Sequence, residues 1–128
     1  MPHLQIDYSA NLEDRLDIAA LCRALRDAGA ATGILPLPGI RVRATACTHW
    51  VIADGDPAHG FLDIAVRMRA GRSEAEKAAV VQALWGAAEA HCAAALAQTS
   101  LALSLELREI GPEFSPKVSS VRRQMGMT

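Results

Sequence analysis

The sequence predicts an α+β fold: two β-α-β units build one four-stranded sheet, with two helices on one face. Three observations lead there. Four segments alternate apolar and polar residues with a period of two, as half-buried strands do. Two intervening segments repeat apolar residues at three and four, as amphipathic helices do. The order strand–helix–strand then occurs twice, a duplication of a unit of about 50 residues visible in element order rather than in residue identity.

The first strand is 3–8, with Leu4, Ile6 and Tyr8 on one face and His3, Gln5 and Asp7 on the other. Residues 11–28 form a helix with Leu12, Leu16, Ala19, Leu25 and Ala28 in one stripe, Asn11 as N-cap and Gly29 as stop. The prolines and glycines of 33–39 exclude regular helix there. Residues 40–52 read as a long strand, with Ile40, Val42, Ala44 and Ala46 opposite Arg41, Arg43, Thr45 and Cys47. Asp54-Gly55-Asp56-Pro57 is turn chemistry.

The third strand alternates Leu62, Ile64, Val66 and Met68 with Asp63, Ala65, Arg67 and Arg69. Ser73 and Glu76 make a capping box that opens a helix to about residue 97, its stripe being Val80, Leu84, Ala88, Cys92 and Ala95. Leu101, Leu103, Leu105 and Leu107 mark the fourth strand. Residues 111–128 mix prolines with basic residues and read as an extended tail. The expected organisation is one domain over 1–128, with units 2–52 and 61–110 and a C-terminal extension. Each crossover makes its two strands parallel. The strand faces away from the helices carry Arg41, Arg43, Arg67, Arg69 and Arg108. A sheet covered on one side only hides the other against a second chain, so an oligomer is expected.

A length of 128 residues and a hydrophobic fraction of 51% suit one compact core, built from aliphatic contacts because aromatics are only 4%. A net charge of −1 excludes a broad basic surface for nucleic acid. Cys22, Cys47 and Cys92 are odd in number and form no CxxC pair, which fits a reducing compartment. No apolar run approaches the ~20 residues of a membrane span. Acidic residues come too early for a signal peptide, so a cytoplasmic protein is expected. His49, Asp54, Asp56 and His59 match no metal-binding spacing and read as a polar strand end and turn. His91 beside Cys92 makes no nucleophile pair, since adjacent helical positions point about 100° apart.

Several short stretches point further. Met1-Pro2-His3, the run 31–37, Gly39-Ile40-Arg41-Val42-Arg43, Ala53-Asp54-Gly55, Ala70-Gly71-Arg72-Ser73 and Leu101-Ala102-Leu103-Ser104 occur in an order and spacing that are specific together. On them the chain resembles the 5-carboxymethyl-2-hydroxymuconate delta-isomerase family of the tautomerase superfamily. The run Gly71-Arg72-Ser73-Glu74 is also similar to the strand-to-helix junction of the shorter 4-oxalocrotonate tautomerases. The matching junction in the first half, Ala10-Asn11-Leu12, has no arginine, and the second half has no terminal proline.

The resemblance implies a tautomerase-like homotrimer that isomerises a hydroxymuconate in aromatic-acid breakdown without cofactor or metal. It also implies Pro2 as catalytic base once Met1 is removed, with Arg41 and Arg72 as catalytic arginines. The chemistry is consistent with those roles. A terminal proline is a secondary amine, and α-amino groups titrate near ~7.7–8.0. Apolar burial or neighbouring arginines lower that value, giving a base suited to proton transfer at working pH. Guanidinium groups hold carboxylates bidentately and stabilise a developing dienolate. Arg43 shares the face of Arg41 and is a candidate for an extra carboxylate, and Trp50 for the site mouth or the interface. Against these stand blander accounts: Met-Pro is a common start, and each arginine is otherwise a surface or intersubunit ion pair. The remaining functional alternatives are another keto–enol substrate and a non-catalytic trimeric binding or scaffold protein.

Overall fold

A computed structural model describes residues 1–127. Strand β1 (His3–Ser9) leads through a 3-10 turn (Ala10–Asp14) into helix α1 (Ile18–Ala31) and strand β2 (Arg41–Cys47). Strand β3 (Gly60–Arg69), helix α2 (Glu74–Gln98) and strand β4 (Leu101–Ile110) follow, then a short helix α3 (Val121–Gln124). The sheet order is β2-β1-β3-β4. β1 and β2 are parallel, β3 and β4 are parallel, and the two halves meet in an antiparallel β1–β3 ladder. The expected four-stranded sheet with two crossover helices is therefore present.

The register puts the aliphatic residues on one face. Leu4, Ile6, Leu62, Ile64 and Val66 are fully buried with Leu21 and Leu25 of α1 and Val80, Leu84 and Ala88 of α2. Cross-strand neighbours His3, Arg41 and Arg67, then Gln5, Arg43 and Ala65, share the opposite face. Both helices thus lie on one side, because the period-two pattern of all four strands leaves only that side apolar.

Helix α2 begins as its sequence dictates. Ser73 Oγ accepts from Glu76 N at 3.1 Å, and Glu76 Oε1 accepts from Ser73 N at 3.0 Å. All five residues of its expected stripe are buried. Among the described residues no helix is long and apolar enough to cross a membrane.

Helix α1 starts later than expected. Asp17, not Asn11, is its N-cap, accepting from Ala20 N at 3.0 Å. The Asn11 amide instead donates to Pro57 O and His59 O, holding the loop before β3. Gly29 does not stop the helix but lies inside it, buried, where a Cβ would come within 3.3 Å of Leu35. The actual end is held by Thr32, whose hydroxyl donates to Gly29 O at 2.6 Å. β2 ends at Cys47 rather than at residue 52. Beyond it, Asp54 and Asp56 side chains accept backbone amides two residues on, and Ala53 and Gly55 take positive φ, which is turn geometry that a strand cannot continue.

Leu84 touches both the sheet core and the space beside Gly29. Leu84→Ala is expected to cost about 2–5 kcal/mol in urea unfolding. Leu96→Ala, at a side chain 39% exposed, is expected to cost far less.

Candidate functional site

Three chain segments converge at one end of the sheet. β1 begins there, β2 begins there, and β3 ends there, so residues 1–3 lie between Arg41 and the Arg67–Arg69 stretch. Arg41 N donates to Pro2 O at 3.0 Å and so starts the β1–β2 ladder one residue before the strand proper. Pro2 is buried. A Cβ on Gly39 would sit 3.3 Å from Pro2 Cδ and 3.8 Å from Met1 Cα, so glycine lets this turn close over the N-terminus.

The charge around that point is one-sided. Among the described residues, Arg41, Arg43, Arg67, Arg69 and Lys117 have no carboxylate within ion-pair distance. The Met1 amine is lowered to about 6, first by burial, then by the positive charge and hydrogen bond of Lys117, and next by the guanidinium groups of Arg69 and Arg41. Burial and the charges of Arg67, Arg41 and Arg43 likewise hold His3 below the ordinary imidazole value. Arg43 donates to Gln5 Oε1 at 2.9 Å and lies 3.3 Å from His3 Nδ1. A guanidinium only donates, so His3 Nδ1 is the acceptor.

The expected site residues are distributed unevenly. Pro2 and Arg41 adjoin one another, the Arg41 side chain donating to Gly39 O at 3.2 Å. Arg43 lies two residues along on the open face. Arg72 follows the end of β3, but its guanidinium donates to Ile34 O at 3.0 Å and lies 3.7 Å from Glu76. Trp50 is at the other end of the sheet, where its indole donates to His59 O at 3.1 Å. About 20 Å of strand separates Arg41 from Cys47, and Trp50 lies past Cys47. Trp50 therefore does not reach Pro2 within one chain, and the Arg72 guanidinium is engaged by Ile34 O and Glu76.

Lys117 is the residue that pattern reading missed. It belongs to the tail, where neither periodicity nor a motif marks a position, and only the folded path of residues 111–120 brings it to the N-terminus. Two hollows meet there. One of about 240 Å³ is lined by Met1, His3, Arg67, Arg69, Lys117 and the Ile110–Pro116 stretch. The other, about 300 Å³, is lined by Met1, Pro36, Gly39, Lys117 and Arg122. A larger depression of about 610 Å³ lies at the far end around Trp50, but no lysine or arginine lines it. The converging cations suit an anionic ligand and repel a metal ion, so the smaller hollows at the N-terminus are the candidate site.

Comparison with known proteins finds relatives over nearly the whole chain. A family model described as 5-carboxymethyl-2-hydroxymuconate isomerase matches residues 2–125. A 5-carboxymethyl-2-hydroxymuconate Delta-isomerase of Escherichia coli is 32% identical over 121 residues, covering 94% of this chain and 96% of that one. The crystal structure of a 5-carboxymethyl-2-hydroxymuconate isomerase from Deinococcus radiodurans R1 superposes with a TM-score of 0.90 at 32% identity, over 97% of this chain and 93% of that one. At 18–19% identity, fused 4-OT proteins described as symmetric and asymmetric trimers share the fold, with TM-scores of 0.63 and 0.64 over 91–97% of this chain and 93–98% of theirs.

In protein that retains Met1, the terminal amine is expected to titrate near 6 rather than 8, read by NMR on labelled methionine. Its folded value is the lower one, so between those values the unfolded chain holds the proton and the folded chain does not. This group's stability penalty is full below pH 6 and fades as pH rises to 8. Arg69→Met or Lys117→Met is expected to raise the midpoint, because each removes a positive neighbour.

Proposed function

The chain belongs to the 5-carboxymethyl-2-hydroxymuconate isomerase family, and we propose that it isomerises 5-carboxymethyl-2-hydroxymuconate or a similar 2-hydroxymuconate, with Pro2 as base after Met1 is removed. The observation that carries this reading is the depressed amine at the start of β1, set among cations that no carboxylate of the described residues pairs with. At pH 7 an amine of pKa 6 is roughly nine-tenths neutral, against roughly one-tenth for an ordinary one. Once Met1 is gone, the Pro2 nitrogen becomes the terminal amine, one residue further along, beside the start of β2. It takes the proton of the 2-hydroxy group as a dienolate forms, then returns it to carbon. One O–H bond breaks, one C–H bond forms, and the electrons stay within the substrate.

Arg41 is proposed to stabilise the negative charge as it develops, and Arg43 to hold a further carboxylate from the open face. Arg72 and Trp50 are proposed to act across subunits of a homotrimer. The fold relatives described as trimers and the cationic sheet face that no described element covers support that arrangement. The unpaired thiols of Cys22, Cys47 and Cys92 fit a reducing, cytoplasmic setting.

Pro2→Ala leaves a weaker, more mobile terminal amine in place of the ring. Its turnover of 5-carboxymethyl-2-hydroxymuconate is expected to fall by about 100-fold or more with fold and assembly intact. Unchanged turnover in protein whose mass confirms loss of Met1 would remove Pro2 from the mechanism. Arg72→Ala is expected to raise KM by about 10-fold or more, with a smaller change in kcat.

A further inference from the structure

The two hollows at the N-terminus share only two lining residues, Met1 and Lys117. Met1 borders both of them. Neither hollow alone, at about 240 and 300 Å³, offers much room for a ligand with carboxylates at its ends. Joined, they fall within the roughly 300–1,000 Å³ of ordinary ligand sites. Each has its own cations, Arg67 and Arg69 on one side and Arg122 on the other, and Lys117 faces both. Ile110, Pro112 and Pro116 supply an apolar wall beside the first, and Pro36, Pro38 and Val118 beside the second.

We propose that excision of Met1 fuses the two hollows into one chamber around the Pro2 nitrogen, and that Lys117 of the C-terminal segment binds a substrate carboxylate there. The inference rests on the isomerase reading and extends it. The segment after β4 becomes a wall of the site. None of the ion pairs among the described residues involves Lys117, so its ammonium is available to a ligand. With Arg67 and Arg69 on one side and Arg122 on the other, an extended polyacid finds a cation at each end while its middle passes Pro2. A monoacid gains from only one of them.

Tricarballylate, a saturated tricarboxylate that cannot be isomerised, tests binding without chemistry. Calorimetry on protein lacking Met1 is expected to show binding that Lys117→Met weakens at least tenfold. Lys117→Arg is expected to restore most of it, and Arg23→Met, an exposed charge on α1, to leave it unchanged. Protein recovered with Met1 in place is expected to bind at least tenfold more weakly than protein without it. In kinetics, Lys117→Met is expected to raise KM for 5-carboxymethyl-2-hydroxymuconate tenfold while kcat changes less than threefold. Equal affinity of wild type and Lys117→Met for tricarballylate, equal affinity with and without Met1, or no binding at all overturns the inference, whatever the enzyme turns over. Loss of turnover in Pro2→Ala with binding intact bears on the base alone, so the two ideas fail separately.

Discussion

β1 is the element on which the site depends. Like β3, it is bonded on both sides to strands of different direction, in its case parallel to β2 and antiparallel to β3. That mixed pairing brings the beginning of β2 and the end of β3 to the same edge as the beginning of β1. Had β1 run the other way, Pro2 would stand beside Cys47 and Gly60, at the opposite end of the sheet from Arg41, Arg67 and Arg69. The register is held by burial. Leu4, Ile6 and Tyr8 go under the helices only in this phase, and a slip of one residue would turn His3, Gln5 and Asp7 into the core.

The fold then tolerates an electrostatic arrangement that does nothing for its stability. Guanidinium and ammonium groups gather round an amine while the carboxylates of the chain pair elsewhere, Glu76 near Arg72 and Glu74 and Glu109 with Lys77. Mutual repulsion of Arg41, Arg69 and Lys117 is weakened by solvent, because Arg69 and Lys117 are exposed. The amine is the group that yields. Losing its proton relieves both its partial burial and its like-charge neighbours, leaving a lone pair at neutral pH. An incoming carboxylate would relieve the remaining cations in turn.

Much of the fold was legible because period-two alternation in the strands and the Ser73–Glu76 capping box are local signals that tertiary contacts reinforce. The start of α1 was not legible in the same way. Asn11 is a good cap by type, yet Pro57 O and His59 O compete for its amide, and those carbonyls are more than forty residues away. Gly29 resembles a helix stop until Leu35 is seen to pack against it. For the site, Pro2 and Arg41 could be picked out from a motif, and alternation put Arg67 and Arg69 on the open face. Lys117 could not be found that way, since its tail has no repeating pattern and its position depends on a chain reversal after β4.

The open face and the sheet edges bear on how a complete site is made. β2 and β4 are edge strands, and their outer hydrogen-bonding groups meet no strand among the described residues. The face that carries Arg41, Arg43, Arg67 and Arg108 is likewise uncovered by either long helix. Within one chain Arg72 is turned toward Ile34 and Trp50 lies at the far end of the sheet. A cyclic arrangement that sets the far end of one sheet beside the Pro2 end of the next would answer both conditions together. It would pair or cover exposed strand edges while carrying Trp50 of one copy toward the cations of another. Assembly would then complete the hollow as well as bury surface, since a single subunit holds Pro2 and Lys117 but has no aromatic side chain lining the hollows beside them.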